Sequence, residues 1–135
     1  MRMKILLLAL LIFNTFNCFA DNYIYEKAKN IQREVSKDLP QKISQNLTIM
    51  SIYSENETVT LHAVLNYNKD YLKKSADAAG VSLNSIALKM NTFSNNAVCG
   101  FALLNNFLKE GGRIDYRYTF LDGNEYMTVK INKCL

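Results

Sequence analysis

The chain has 135 residues, 16 of them Lys or Arg and 12 Asp or Glu, with one histidine, three cysteines and no tryptophan. This length is enough for one compact domain and too short for two. The formal net charge is +4, and Arg2 and Lys4 carry half of it; the near balance that remains excludes an electrostatic case for nucleic acid or for a strongly anionic surface.

The first residues read MRMKILLLALLIFNTFNCFADN. Arg2 and Lys4 supply a basic start, Ile5 to Phe13 an apolar stretch, and Cys18-Phe19-Ala20 a small-x-Ala cleavage site before Asp21. This is the layout of a secretory signal peptide. The apolar stretch of about nine residues is far below the roughly 20 that span a bilayer. Thr15-Phe16-Asn17 ahead of Cys18 lack the small residues of a lipoprotein signal. The expected division is a signal peptide over 1–20 and a single small α+β domain over 21–135, periplasmic or secreted, with no transmembrane segment after cleavage. Without Arg2 and Lys4, 14 basic residues face 12 acidic ones.

Ile24, Ala28, Ile31, Val35 and Leu39 recur at helical spacing, with Lys27, Lys29, Arg33, Glu34 and Lys37 on most of the other sides. This predicts an amphipathic helix from near Asn22 that stops before Pro40. From Leu47 the period changes to two. Thr48 to Tyr53 and Val59 to Leu65 alternate around Glu55-Asn56-Glu57, which predicts a hairpin. A two-residue loop at Asn56-Glu57 sets Met50 opposite Ala63 and Ile52 opposite Leu61 on the apolar face, with His62 on the polar one. Asp70 is a candidate cap for a second helix through Ala79, closed by Gly80, and Ser82 for a further turn or two. Asn91–Asn96 is expected as a loop or helix start, and Ala97 to Lys109 as the last helix, stopped at Gly111-Gly112.

The closing stretch RIDYRYTFLDGNEYMTVKINKCL is the clearest signal. Asp122-Gly123 fits a type I′ two-residue turn. That register faces Ile114 with Ile131, Tyr116 with Val129 and Tyr118 with Met127 on one side. Asp115 with Lys130 and Arg117 with Thr128 fall on the other. A slip of one residue would exchange the two faces. The expected architecture is α+β: a four-stranded antiparallel sheet from two hairpins, in αββ-ααββ order, with helices packed on one face.

Cys18 departs with the signal, so Cys99 and Cys134 remain. An even pair in an oxidising compartment predicts one disulfide. Cys134 has the parity of Lys130, so the strand must end or bulge near Asn132 for the thiol to reach a helix on the apolar side.

No catalytic constellation is found. A serine or cysteine nucleophile needs a base, and His62, the only histidine, sits mid-strand among threonines and alanines. Glu55, Glu57 and Asp122 occupy turns, where acids are common for backbone reasons. No metal ligand set, phosphate loop or dinucleotide fingerprint is present, so no cofactor is expected and the protein is not expected to be an enzyme. Asp115, Arg117, Tyr126 and Lys130, on the polar face of the closing hairpin, form a candidate interaction surface.

The order cysteine, helix, glycine, Tyr-x-Tyr, Asp-Gly, strand, cysteine is present as Cys99, Gly111-Gly112, Tyr116-Arg117-Tyr118, Asp122-Gly123 and Cys134. It resembles a loose family of short exported bacterial proteins, most of them uncharacterised, and Leu39-Pro40 ahead of the first hairpin is similar too. The resemblance implies the fold and the disulfide and no activity. The functional expectation is a non-catalytic exported protein that binds another envelope protein, such as an accessory of a pilus or secretion apparatus or an inhibitor or immunity protein. The alternative is a binder of a small ligand or cell-wall fragment.

Overall fold

Alternating apolar and polar residues across 47–65 and 113–131 build most of a single sheet, and helices close over one side of it. The computed structural model describes residues 22–135; the expected signal peptide, with Cys18, lies outside the described residues. The order is α1 (22–36), β1 (Gln41–Ser44), β2 (Leu47–Glu55), β3 (Thr58–Leu65), α2 (Lys69–Ala79), α3 (Leu83–Cys99), α4 (Ala102–Lys109), β4 (Arg113–Thr119) and β5 (Glu125–Ile131). The sheet has five strands in the order β1-β2-β3-β4-β5. All neighbours pair antiparallel except β3 and β4, which are parallel. The expected four-stranded antiparallel sheet is therefore corrected to a five-stranded mixed one. Three helices between β3 and β4 return the chain to the end where β3 began, and a crossover of that length is what a parallel pair requires.

α1 follows its pattern, with Ile24, Ala28 and Ile31 buried and Tyr25 and Val35 packed against the core. The chain then turns through a cis Leu39–Pro40 peptide into β1. The sequence reading lacked this strand because Gln41-Lys42-Ile43-Ser44 is exposed at every position, a short polar edge of the kind that resists further pairing.

The first hairpin keeps the expected pairing at Ile52↔Leu61, with a tight turn at Asn56, where φ is 53°. A β-bulge between Ile49 and Ser51 then shifts the register by one. Ile49 stands opposite Ala63 and is buried, whereas Met50 is 44% exposed. This corrects the expected Met50–Ala63 pair: one extra residue in the strand turns the more apolar Ile49 inward.

Asn68, not Asp70, caps α2, its side chain accepting from the Tyr71 amide at 2.9 Å. Gly80 ends that helix in the left-handed region at φ 66°. Ser82 caps α3 through the Ser85 amide at 3.1 Å. α3 then runs unbroken through Asn91–Asn96, where a loop or a helix start was expected, and the break falls at Gly100-Phe101. Asparagine and serine are weak helix formers, but here tertiary packing prevails: Ser94 is fully buried, and its hydroxyl donates to the Met90 carbonyl at 2.8 Å and meets the Tyr118 hydroxyl at 2.6 Å. Cys99 consequently ends α3 rather than starting the last helix.

After α4 the chain passes Gly111, at φ 100°, and Gly112. A Cβ on Gly112 would lie 2.4 Å from the Phe107 ring, so only glycine lets β4 start so close to α4. One core gathers Ile24, Ala28 and Ile31 from α1, Leu72 from α2, Val98 from α3 and Leu104, Phe107 and Leu108 from α4. These pack on the inward residues of the sheet, Val59, Leu61, Ile114, Tyr116, Tyr118, Val129 and Ile131 among them.

β4 and β5 pair as expected at Ile114↔Ile131, Tyr116↔Val129, Tyr118↔Met127, Asp115↔Lys130 and Arg117↔Thr128. The turn differs. Gly123 donates to the Phe120 carbonyl at 3.0 Å and Phe120 to the Asn124 carbonyl at 2.8 Å, with Gly123 at φ 87°. This is a three-residue loop over Leu121-Asp122-Gly123, and the register shifts between Tyr118 and Thr119. β5 ends at Ile131, and Cys134 turns to the core side, where it is bonded to Cys99 with Cα atoms 5.7 Å apart.

Candidate functional site

With the inward side chains of β2 to β5 buried under helices, the alternate ones make up the other face of the sheet. Strand register sets them in rows. Tyr53, Thr60, Asp115 and Lys130 form one, and Ser51, His62, Arg117 and Thr128 the next. The parallel β3–β4 pairing, which local pattern does not reveal, is what brings Tyr53 and His62 beside Asp115 and Arg117.

Arg117 is the centre of this face. Its Nε and Nη2 donate to Glu125 Oε1 at 3.0 and 2.7 Å. Glu125 first, and Tyr53 second, push its pKa further up. Asp115 and Lys130 stand opposite each other. Tyr126, however, leaves the group. It is the extra residue of the bulge next to the turn, and its ring lies 5.0 Å from Phe120 in the core. Of the four residues expected as a surface, the structure brings Asp115, Arg117 and Lys130 to one face and sends Tyr126 elsewhere. Tyr53 and Glu125 take its place. The register of the first hairpin already set Tyr53 outward; nothing local indicated Glu125, because the turn was read one residue too short.

His62 is half-buried, its Nε2 2.8 Å from Thr119 Oγ1. Burial, and then the neighbouring Arg117, pushes its pKa below the usual histidine value. The threonine it meets is itself buried, so this pair lies within the fold rather than open on the face. Among the described residues, no group of His, Cys, Asp and Glu could hold a metal ion, and no helix is long and apolar enough to cross a membrane.

Two further openings lie off this face. A groove of about 370 Å³ runs between α1 and α4, lined by Tyr23, Lys27, Ile31, Glu34 and Leu103. An ion pair from Lys27 to Glu110 bridges the same two helices. An open cleft of about 610 Å³ lies among the loops at one end of the sheet, with Tyr67, Tyr71 and Leu121 in its wall.

No protein-family model matches the sequence, and no significant match is found among curated proteins. Solved structures do match. A protein of Pseudomonas aeruginosa described as secreted superposes with a TM-score of 0.64 at 13% identity, over 84% of this chain and 92% of its own. EpsS, the pilotin of the type 2 secretion system of Vibrio vulnificus, gives 0.63 at 20% identity, over 83% and 90%. AspS, the type II secretion system pilotin of Vibrio cholerae, gives 0.63 at 17% identity, over 86% and 94%. At these identities the likeness is one of fold, and it spans nearly the whole length of each of these proteins.

Proposed function

We propose that this protein is an exported, non-catalytic component of the cell envelope that works by binding another protein, as an accessory of a secretion apparatus. The observation that carries the reading is the fold shared with two type II secretion pilotins over 83% and 86% of this chain. The likeness to a protein described as secreted supports the exported location, as does the disulfide, a bond favoured outside the cytosol. The single histidine is paired with the hydroxyl of a buried threonine, an arrangement closed to a substrate, which favours a binding role over catalysis.

The docking surface in this reading is the open sheet face around Arg117, with Asp115, Lys130, Tyr53 and Glu125. Arginine and tyrosine are the residue types enriched at interfaces. The test is genetic. Deleting the gene should empty the culture medium of proteins exported by the type II system, and the intact chain should restore them. Arg117→Ala should restore them poorly while the protein accumulates normally. Undiminished secretion in the deletion strain would refute the accessory role.

A further inference from the structure

Three loops meet at the end of the sheet where the parallel strands β3 and β4 finish. Asn66 donates to the Asn46 carbonyl at 2.9 Å, and Leu121 to the Tyr67 carbonyl at 3.1 Å. The β1–β2 turn, the β3–α2 loop and the β4–β5 turn are thereby tied by backbone bonds into one wall. The cleft they enclose is lined by Asn46, Asn66, Tyr67, Asn68, Tyr71, Leu121 and Asp122. Its volume of about 610 Å³ falls within the roughly 300–1,000 Å³ of small-ligand sites.

The lining is specific in kind. Tyr67 and Tyr71 set their rings 5.6 Å apart at 37°, and Phe120 and Tyr126 back Tyr67 at 6.4 Å and onward at 5.0 Å. The inner ring is thus fixed, whereas Tyr71 is 58% exposed. Three asparagines surround the pair. An amide offers two donors and one acceptor group, and these are only partly used. Asn68 spends its Oδ1 on the Tyr71 amide at 2.9 Å, which leaves its NH2 group. Asn66 makes only a long bond to the Gln45 carbonyl at 3.4 Å. The one charged residue in the lining is the acid Asp122, whose carboxylate is turned to Asn124 at 3.0 and 3.1 Å.

The geometry points to a binding site for a neutral saccharide of one or two rings. The C–H face of a pyranose is apolar and packs on an aromatic ring, while its equatorial hydroxyls need paired donors and acceptors, which side-chain amides supply. An anionic ligand would meet Asp122 and no cation in the lining. A proline-rich peptide would use the tyrosines, as such segments do, but would leave most of the amides unmatched. This site is separate from the sheet face around Arg117, so it stands whether or not the accessory role does.

The test uses the full chain, purified after export, and isotope-labelled for chemical-shift mapping. The probes are N-acetylglucosamine trimer, cellotriose, a proline-rich peptide and intact cell-wall sacculi in a sedimentation assay. The expected result is saturable shifts confined to Tyr67, Tyr71, Asn46, Asn66 and Leu121 with at least one trisaccharide. Tyr71→Ala, at an exposed position, should weaken that affinity about tenfold, as loss of an aromatic contact does, while the melting temperature is unchanged. Asn46→Ala should weaken it as well, and Tyr53→Ala on the open sheet face should not. Binding of sacculi identifies the cell wall as the source of the sugar; binding of trisaccharide alone identifies a free glycan. Absence of shifts with both sugars, shifts that survive Tyr71→Ala, or binding of the peptide only would overturn the inference.

Discussion

The Cys99–Cys134 bond closes a sequence separation of 35 and joins the end of α3 to the tail beyond β5. In the chain-entropy account such a loop removes about 13 cal/mol/K from the unfolded ensemble, or about 3.8 kcal/mol at 25 °C. The described residues 22–135 have an unfolding entropy of about 0.24 kcal/mol/K near the melting temperature, by the usual per-residue value. The quotient is a fall of about 16 °C. Cys134→Ser should therefore melt about 16 °C below the oxidised parent when followed by far-ultraviolet circular dichroism, and reductant should bring the parent to the same temperature. The paired change Cys99→Ser with Cys134→Ser should cost no more than either alone, because the bond is a single unit. A reduced protein that melts within about 3 °C of the oxidised one would show that the bond does not restrain the unfolded chain to this extent.

The buried Ser94–Tyr118 pair makes an asymmetric prediction. Tyr118→Phe leaves Ser94 still donating to the Met90 carbonyl and should cost about 1 kcal/mol, whereas Ser94→Ala strands the phenol in the core and should cost about 2 kcal/mol; chemical denaturation that finds the reverse order would contradict the network. Burial and Arg117 lower the His62 pKa, so below about pH 6.5 the unfolded chain binds the proton that the folded chain refuses. Stability from this residue is full above that pH and is lost as pH falls through the folded value. His62→Gln should flatten the dependence between pH 8 and pH 5, and parallel melting curves for the two proteins across that range would show that the imidazole is not constrained as described.

Where the sequence was legible, one face carried an unambiguous signal. The β4–β5 register from Ile114↔Ile131 to Tyr118↔Met127 was fixed by apolar residues at every second position in both strands, and α1 by Ile24, Ala28 and Ile31. Where it was not, the deciding interaction was distant in the chain. Ser94 and its asparagine neighbours read as a loop or a helix start, not a helix interior, because their helix is held by Tyr118, 24 residues away. β1 is a polar edge with no buried residue to mark it. The parallel β3–β4 pairing depends on how three helices return the chain, and no local period encodes that. The register placed Asp115, Arg117 and Lys130 on one face of the sheet, whereas Tyr126 left it through a turn one residue longer than the Asp122-Gly123 pair suggested. Both bulges, at Met50 and Tyr126, turned one apolar or aromatic residue to the side opposite its expected one, because packing of Ile49 and of the Tyr126 ring against the core outweighed strict alternation.

In the proposed role the protein acts by binding a protein of the envelope. The most direct test places a photo-crosslinking residue at Lys130 or Thr128 on the open sheet face, and as a control at Leu88 on α3, in the full chain expressed in its own cells. Irradiation followed by mass spectrometry of the purified adducts should return one dominant partner from the sheet-face probes, a component of the secretion apparatus, and none from Leu88. Sheet-face probes that yield no protein adduct in cells with a working secretion system would contradict the account.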